Sequence, residues 1–394
     1  MARSSRTLSR AWLCIAVTLS IALVTAGCGT ASTPSRVASS TPSPASTATS
    51  APSASPNSLS MATAPRTVEP CPDAPAAKMD PEPGPEATIP KPATLQRMEA
   101  FSTDFPQGLA VAAGSIWTAN EFLDTVTRID ATTGNVTTIR VAPGFGPQRV
   151  AEAADAIWVA GAGGLVRIDV TSNAVDPRVA GCVISIASAF DSLWAGVTGG
   201  LLRVDPATGL AVEEIRPAAA AGVLCGVGAA DDSMWLVCGR DLYRIDPTSN
   251  AVSAKVADAG INPSVISADG VAWVLAGMDP FGVAKPEDAF TTAERLDLQT
   301  NRLVADTKTI LVHGASVAGR LADGHVVWLS TSFGVGPGVG KLYAFEPASE
   351  KVTAAFDISE GKGYGSNAIA FAFGSLWTAS GTANAVRRFP PPTP

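Results

Sequence analysis

Two arginines and a few polar loop residues are the side chains of this chain most open to a chemical role. Arg149 and Arg320 stand early in predicted strands, at positions where other repeats carry small residues. A guanidinium group in such a place could bind an anion; the alternative is a structural arginine satisfied by its neighbours. The remaining candidate ligand-binding residues lie in predicted loops: Asn120, Glu121, His313, Tyr364 and Asn367.

Known catalytic motifs are absent from the sequence. The chain has two histidines, His313 and His325, and no HExxH zinc motif. It has no Gly-x-Ser-x-Gly nucleophile elbow, no phosphate-binding loop and no EF-hand loop. The sequence therefore predicts no metal and no cofactor. It leaves catalysis open but favours binding.

The cysteines favour disulfides over a metal site. Cys71, Cys182, Cys225 and Cys238 have a spacing that fits no zinc site, and an oxidising compartment would pair them. In one arrangement Cys225 bonds to Cys238 across a hairpin, and Cys71 bonds to Cys182. In the other, Cys182 bonds to Cys225 between repeats. The sequence leaves both arrangements open.

The N-terminus indicates export and lipidation. Three arginines precede an apolar run at residues 11–26, which is too short and too early for a membrane-spanning helix. The run ends in Val-Thr-Ala-Gly-Cys28, which resembles a bacterial lipobox. The resemblance implies cleavage after residue 27 and acylation of Cys28 with chains such as palmitate; an ordinary secretory signal is the alternative. Two acyl chains hold a protein stably on a bilayer.

Residues 28–92 are predicted to be a disordered tether, because Ser, Thr, Ala and Pro dominate the segment and offer little apolar surface to bury. From residue 66 the segment also carries charges and Cys71, so this part could lie on the folded head. We therefore expect a lipid-anchored protein on the extracytoplasmic side of the bacterial cell membrane.

The charge balance excludes a nucleic-acid partner. The chain has a formal net charge of −7, and removal of the signal peptide leaves 25 basic and 35 acidic residues. A surface that binds a phosphate backbone needs an excess of basic residues. The expected partners are the membrane, through the lipid, and an unknown extracytoplasmic protein or small ligand; we expect a monomer.

Seven tryptophans position all of these residues in one fold. They are separated by 41, 36, 41, 38, 55 and 49 residues and are Trp117, Trp158, Trp194, Trp235, Trp273, Trp328 and Trp377. A period near 40 is typical of a β-propeller with one four-stranded antiparallel blade per repeat. The sequence predicts an all-β, seven-bladed propeller at residues 93–390, followed by a tail at 391–394. We expect the tryptophans to pack between blades; stacking on sugars or bases is the alternative.

An Arg-x-Asp triplet recurs at the end of the third strand of five repeats, for example at Arg128 and Asp130. The aspartate opens a turn that ends in Gly or Asn, as at Gly134, and Asp side chains accept bonds from local amides in such turns. Since residues i and i+2 share a strand face, we expect a structural ion pair or a turn cap.

The last repeat lacks a fourth strand. Residues 94–101 precede the first repeat and have no partner of their own. We predict that they pair as the outer strand of the seventh blade. Closing the ring in this way would remove a free sheet edge.

The repeat resembles the YVTN/YncE-like and streptogramin-lyase-like superfamily of seven-bladed propellers. The resemblance rests on the pattern G-S-L/I-W-x-A followed by V-x-R-I-D-x-x-T-G/N-x-V, from about residue 94 to 389. It implies the fold; in the lyase branch it also implies a magnesium site with His and Glu side chains at the channel mouth. Residues 366–390 contain no His or Glu. We therefore predict a binding or protein-interaction module; the alternative is a lyase-like or lactonase-like enzyme with a metal at the channel mouth.

Overall fold

The computed structural model describes residues 65–72, 85–278, 290–313, 315–334 and 338–393 of the 394 residues. Cys28, the predicted signal peptide and most of the predicted tether lie outside the described residues. Within these ranges the chain forms strands and a short 3-10 turn at Ala218–Ala220. None of its helical turns there has the length and hydropathy that a membrane crossing requires.

Seven small antiparallel sheets form the blades of a propeller, which confirms the predicted all-β fold. Three short strands precede the first blade: β1 (Arg66–Thr67), β2 (Ala93–Thr94) and β3 (Glu99–Ser102). Blades one and two contain β4 (Pro106–Ala112), β5 (Ser115–Asn120), β6 (Thr125–Asp130) and β7 (Val136–Arg140), then β8 (Pro147–Ala153), β9 (Ala156–Gly161), β10 (Gly164–Asp169) and β11 (Val175–Ala180). Blades three and four contain β12 (Ser185–Ala189), β13 (Ser192–Val197), β14 (Gly200–Val204) and β15 (Ala211–Ile215), then β16 (Cys225–Ala230), β17 (Ser233–Cys238), β18 (Asp241–Ile245) and β19 (Val252–Val256).

The last three blades depart from the regular pattern. In blade five the outer strand is split into two pieces that both pair with the third strand; its strands are β20 (Ser264–Ala268), β21 (Val271–Met278), β22 (Phe290–Asp297), β23 (Arg302–Leu303) and β24 (Thr309–His313). Blade six has long inner strands and contains β25 (Ala315–Asp323), β26 (Val326–Gly334), β27 (Lys341–Glu346) and β28 (Lys351–Asp357). Blade seven supplies only three strands of its own: β29 (Ala368–Ala372), β30 (Ser375–Ser380) and β31 (Ala385–Phe389).

The N-terminal strand closes the ring, as predicted. Strand β3 pairs antiparallel with β31, with Glu99 opposite Arg388 and Ser102 opposite Ala385. The closing strand is shorter than predicted, because β2 pairs in parallel with β28 of blade six. Leu95 accounts for this difference, since it packs against the apolar cluster between blades six and seven.

The described parts of the predicted tether lie on the outer edges of the blades. Strand β1 pairs in parallel with β11 of blade two, and the adjacent Val68 is buried. Glu86 forms a bridge with Ile310 of blade five. The folded head therefore includes residues on the N-terminal side of position 93.

Two disulfides confirm the first of the two predicted arrangements and make the second wrong. Cys225 and Cys238 are directly paired on β16 and β17, with their Cα atoms 4.4 Å apart. Cys71 bonds to Cys182 with a Cα separation of 4.9 Å, so it fixes the N-terminal segment to the connection between blades two and three.

The blade tryptophans pack between neighbouring blades, as predicted. They are at most 3% exposed, which leaves no ring face for stacking on a sugar or base. Each belongs to a separate apolar cluster that also contains residues of the following blade; the cluster of the seventh blade is completed by blade one. Burial of these rings therefore contributes to the apolar contacts between all seven pairs of neighbouring blades.

The Arg-x-Asp triplets connect one blade to the next. Asp130 caps its own turn, because its Oδ1 accepts bonds from the amides of Thr132 (3.0 Å) and Thr133 (2.7 Å). Arg128 lies over Trp117 at 5.0 Å, and its Nη1 donates to the carbonyl of Val170 in the next blade at 2.7 Å. The expected turn cap is present, while the arginine bonds to the adjacent blade.

Replacing Arg203 by alanine should lower the free energy of unfolding by about 1–2 kcal/mol more than replacing Arg167 by alanine does. Arg203 donates to Pro247 and Asn250 of the next blade, both at 2.7 Å. The corresponding turn of blade three has Gly209 in place of this asparagine, and the buried Nε of Arg167 has no partner among the described residues. Urea unfolding of both variants measures the difference; equal losses would contradict the role assigned to Arg203.

Candidate functional site

The inner strands of the blades bring distant parts of the sequence together at one mouth of the central channel. The first strands of neighbouring blades contact one another and line the channel. Within a blade the first and second strands are antiparallel, so the first strand begins at the end of the sheet where the second strand finishes. The connection that enters the first strand and the connection that leaves the second strand therefore lie on the same face of the propeller. We call the seven beginnings of the inner strands and these connections the channel mouth.

A buried carboxylate lies at the channel mouth, between blades one and two. Glu121 follows β5, and its two oxygens accept hydrogen bonds from Nε2 of Gln107 and Nε2 of Gln148, each at 2.9 Å. The three side chains are 3–6% exposed. Burial raises the pKa of Glu121, while the bond from Gln148, the positive charge of Arg149 and the bond from Gln107 oppose this rise.

The hydrogen bonds continue from Glu121 into blades seven and six. Nδ2 of Asn367, at the start of blade seven, donates to Oε1 of Gln107 at 3.2 Å and to the carbonyl of Pro106 at 3.1 Å. The hydroxyl of Ser332 in blade six donates to Oδ1 of Asn367. We name this set the polar arc; it consists of Ser332, Asn367, Gln107, Glu121 and Gln148 and extends over blades six, seven, one and two.

β-Bulges occur where three of these blades begin. The register between first and second strands shifts at Pro106–Leu109 in blade one, at Pro147–Arg149 in blade two, and twice between Ala315 and Gly319 in blade six. The corresponding pairings of the other four blades have no shift. Bulges redirect side chains and are frequent next to functional sites, so this half of the mouth differs in backbone as well as side chains.

The two candidate arginines extend this half of the mouth. Arg149 stands nine residues before its blade tryptophan, where the other blades have Gly, Ser or Ala, as predicted. Arg320 stands eight residues before its tryptophan. There the other blades have aliphatic residues, so the prediction that Arg320 replaces a small residue is wrong; they are Leu109, Val150, Ile186, Val227, Val265 and Ile369. Arg320 is 7% exposed.

Three candidate residues lie outside the polar arc: Asn120, Tyr364 and His313. Asn120 adjoins Glu121, but its amide donates to Thr125 and Thr127 of its own blade at 3.0 and 2.8 Å. Tyr364 is half-buried, and the Cζ atom of Arg387 lies 5.9 Å from the centre of the Tyr364 ring.

His313 ends the split outer strand of blade five, and its Nε2 lies 3.2 Å from a carboxylate oxygen of Glu86. Because the outer strand is the one farthest from the channel, the structure does not bring His313 together with Glu121, Arg149, Arg320 and Asn367.

Sequence reasoning missed Gln107, Gln148 and Ser332, although a signal for the glutamines existed. Gln107, Gln148 and Asn367 each stand ten residues before a blade tryptophan, in three blades that are consecutive once the ring is closed. An amide at one repeat position in adjacent blades indicates a shared site. Ser332 stands four residues after its tryptophan, at the position that Glu121 has in blade one.

Replacing Glu121 by glutamine should lower the free energy of unfolding by about 1–3 kcal/mol. The NH2 group of the new side chain would face the NH2 group of Gln107 or Gln148, which would lose the oxygen that accepts its hydrogen bond. The exposed Glu213 provides the control, since its replacement by glutamine removes the same charge without burial. Urea unfolding measures both changes. Equal midpoints for the two variants would show that the bonds to Gln107 and Gln148 contribute nothing to stability.

Comparisons with known proteins identify the fold and no family. No protein-family model and no curated protein matches the chain. Solved structures of the same fold include hydrazine synthase of Kuenenia stuttgartiensis (12% identity, TM-score 0.59, covering 75% of this chain and 97% of that one). They also include virginiamycin B lyase of Staphylococcus aureus (13%, 0.58, 76% and 99%) and BamB of Moraxella catarrhalis (12%, 0.51, 73% and 86%). These neighbours confirm the predicted resemblance to lyase-type propellers at the level of the fold.

The residues of the channel mouth do not fit the magnesium ion that the lyase branch implies. Both oxygens of Glu121 already accept bonds from amides, and the groups facing it include the cation Arg149. His313 lies on the outer strand of blade five, and His325 pairs with Asp269 in an exposed turn. Among the described residues, no three His, Cys, Asp or Glu side chains form a group that could hold a metal.

Proposed function

We propose that the protein is an extracytoplasmic binding module, anchored to the bacterial cell membrane through lipid on Cys28, whose propeller binds its ligand or partner at the channel mouth. The polar arc is the observation that carries the proposal. It places five hydrogen-bonding side chains on one side of the channel, in a ring whose blades already pack through apolar clusters.

A purely structural role explains the polar arc less well. At the position of Gln107 and Gln148, blades three, five and six carry Ile184, Pro263 and Ala318, and blade four carries a disulfide cysteine. In their described residues these blades join their neighbours without a buried carboxylate. Since apolar residues of similar volume stabilise an interior at least as well as a buried ionic group, a ligand is the better reason for the polar set.

Two further observations support the proposal. The two disulfides suit a protein that folds outside the cytoplasm. The virginiamycin B lyase neighbour has also been solved with quinupristin, so a propeller of this fold can hold a small molecule. The alternative enzymatic function, with a metal at the channel mouth, lacks a fitting donor set among the described residues.

Binding at the polar arc can be tested by a thermal-shift screen against small polar molecules. Wild-type head should be stabilised by at least one ligand, and the double variant Gln107→Leu/Asn367→Leu should lose this stabilisation. The control is Arg203→Ala, which weakens the ring away from the mouth. Stabilisation that persists in the double variant would place the ligand elsewhere and refute the proposed site.

Anchoring can be tested separately. In bacteria that export the chain, the wild-type protein should sediment with membranes and carry acyl mass on an N-terminal peptide that begins at Cys28. The variant Cys28→Ser should lack the acyl mass and leave the membrane fraction. A mature N-terminus at another residue, or a wild-type protein free of membranes, would contradict the anchor.

A further inference from the structure

Arg320 is a buried cation whose hydrogen-bonding capacity is largely unused. Its Nη2 donates to the carbonyl of Val317 at 3.3 Å. Its Nε and Nη1 are buried and have no hydrogen-bond partner among the described residues, and no ion pair of Arg320 occurs there either. Buried guanidinium groups are normally paired, so these donors require an explanation.

Packing alone does not explain the arginine. The six equivalent positions carry Leu, Val or Ile, and the blades around them assemble with apolar side chains there. A charged side chain at this position must lose its hydration on folding. Blade six therefore departs from the scaffold at an inner-strand position where a charged side chain is unfavourable to stability.

Arg320 and Arg149 both stand on inner strands, which line the channel. The pKa of Arg320 is lowered to about 9 by burial and, secondarily, by the positive charge of Arg149. Their strands belong to blades six and two, which are separated around the ring by blades seven and one.

The carboxylate of the polar arc is already hydrogen-bonded. Glu121 is its only carboxylate, and both oxygens of Glu121 are held by glutamines. Burial lowers the pKa of Arg149, and the negative charge of Glu121 opposes this change. Among the described residues of the inner strands, the unused guanidinium donors belong to Arg320.

We propose that Arg320, assisted by Arg149, binds the oxyanion group of a small ligand, a carboxylate or a phosphate, inside the channel mouth. The inference rests on the proposed function and specifies its ligand class. The planar guanidinium offers parallel N–H donors that match both kinds of oxyanion. In this proposal the amides of the polar arc contact the rest of the ligand.

The test is calorimetric titration of the disulfide-bonded head with sodium phosphate, sodium succinate and succinamide, each at constant ionic strength. Succinamide has the shape of succinate without its charge. The key variant is Arg320→Leu, which introduces the residue that blade one carries at this position. Arg140→Leu removes the same charge from an exposed outer strand and is the matched control. Arg320→Lys retains the charge but not the planar group, and it serves if the leucine variant does not fold.

The proposal expects one phosphate or succinate bound per head, with affinity reduced about tenfold or more in Arg320→Leu and unchanged in Arg140→Leu. Arg320→Leu should unfold at the same or a higher temperature than wild type, and Arg320→Lys should bind more weakly than wild type. Absence of saturable binding of either anion, or wild-type affinity in Arg320→Leu, would overturn it. Succinamide binding that survives Arg320→Leu but not Gln107→Leu/Asn367→Leu would overturn the charge requirement and leave the proposed function standing.

Discussion

Replacing Trp158 by alanine should lower the free energy of unfolding of the head by about 3–5 kcal/mol. The indole is 0% exposed and lies in the cluster between blades two and three, with Val183, Ile186 and Leu193 of the next blade. Alanine would leave a cavity between two rigid sheets, which cannot move together because the ring fixes the position of each blade. Urea unfolding followed by fluorescence of the remaining tryptophans measures the loss.

Phenylalanine variants separate the packing of the indole ring from its hydrogen bond. The Nε1 of Trp158 has no partner among the described residues, whereas Nε1 of Trp117 donates to the carbonyl of Ala112 at 3.2 Å. Trp158→Phe should therefore cost about 1 kcal/mol less than Trp117→Phe. A Trp158→Ala variant as stable as wild type would contradict the assignment of the tryptophans to the blade interfaces.

Removing the closing strand should produce the second large effect. Without β3 the outer edge of β31 is open, and Phe101, which stacks on Trp377 with ring centres 5.8 Å apart, is lost. We expect a head that starts at Thr103 to unfold without a cooperative transition, or to be less stable by more than about 4 kcal/mol. The free edge should also promote aggregation.

The matched control for this truncation is a head that starts at Ala93. Both proteins lack β1 and Cys71, and Cys182→Ser in both prevents an unpaired thiol, so they differ only in residues 93–102. Circular dichroism melting and sedimentation compare them. Identical melting of the two heads would show that ring closure by β3 contributes no stability.

The fold could be predicted because its determinants repeat. The tryptophan period marks one blade per repeat, the Asp-capped turns form within single blades, and the incomplete last blade required a strand from elsewhere. The exact extent of that strand could not be predicted, since residues 93–94 pair with blade six and Leu95 packs beside it, which depends on three-dimensional proximity.

The candidate site was predictable only in part. Glu121, Arg149, Arg320 and Asn367 were expected at the channel mouth from their places in the repeat, and hydrogen bonds through Gln107 connect Glu121 with Asn367. His313 lies apart, because the split outer strand of blade five continues to this residue. The pairing of Glu121 with Gln148, 27 positions later, depends on the register between two blades, which local patterns do not encode.

Native mass spectrometry of the head, exported by living bacteria and purified without denaturation, tests the central claim most directly. We expect wild-type head to retain a bound small molecule or partner, and the double variant Gln107→Leu/Asn367→Leu to lose it while Arg203→Ala keeps it. The same bound mass in wild type and the double variant would contradict a binding site at the polar arc.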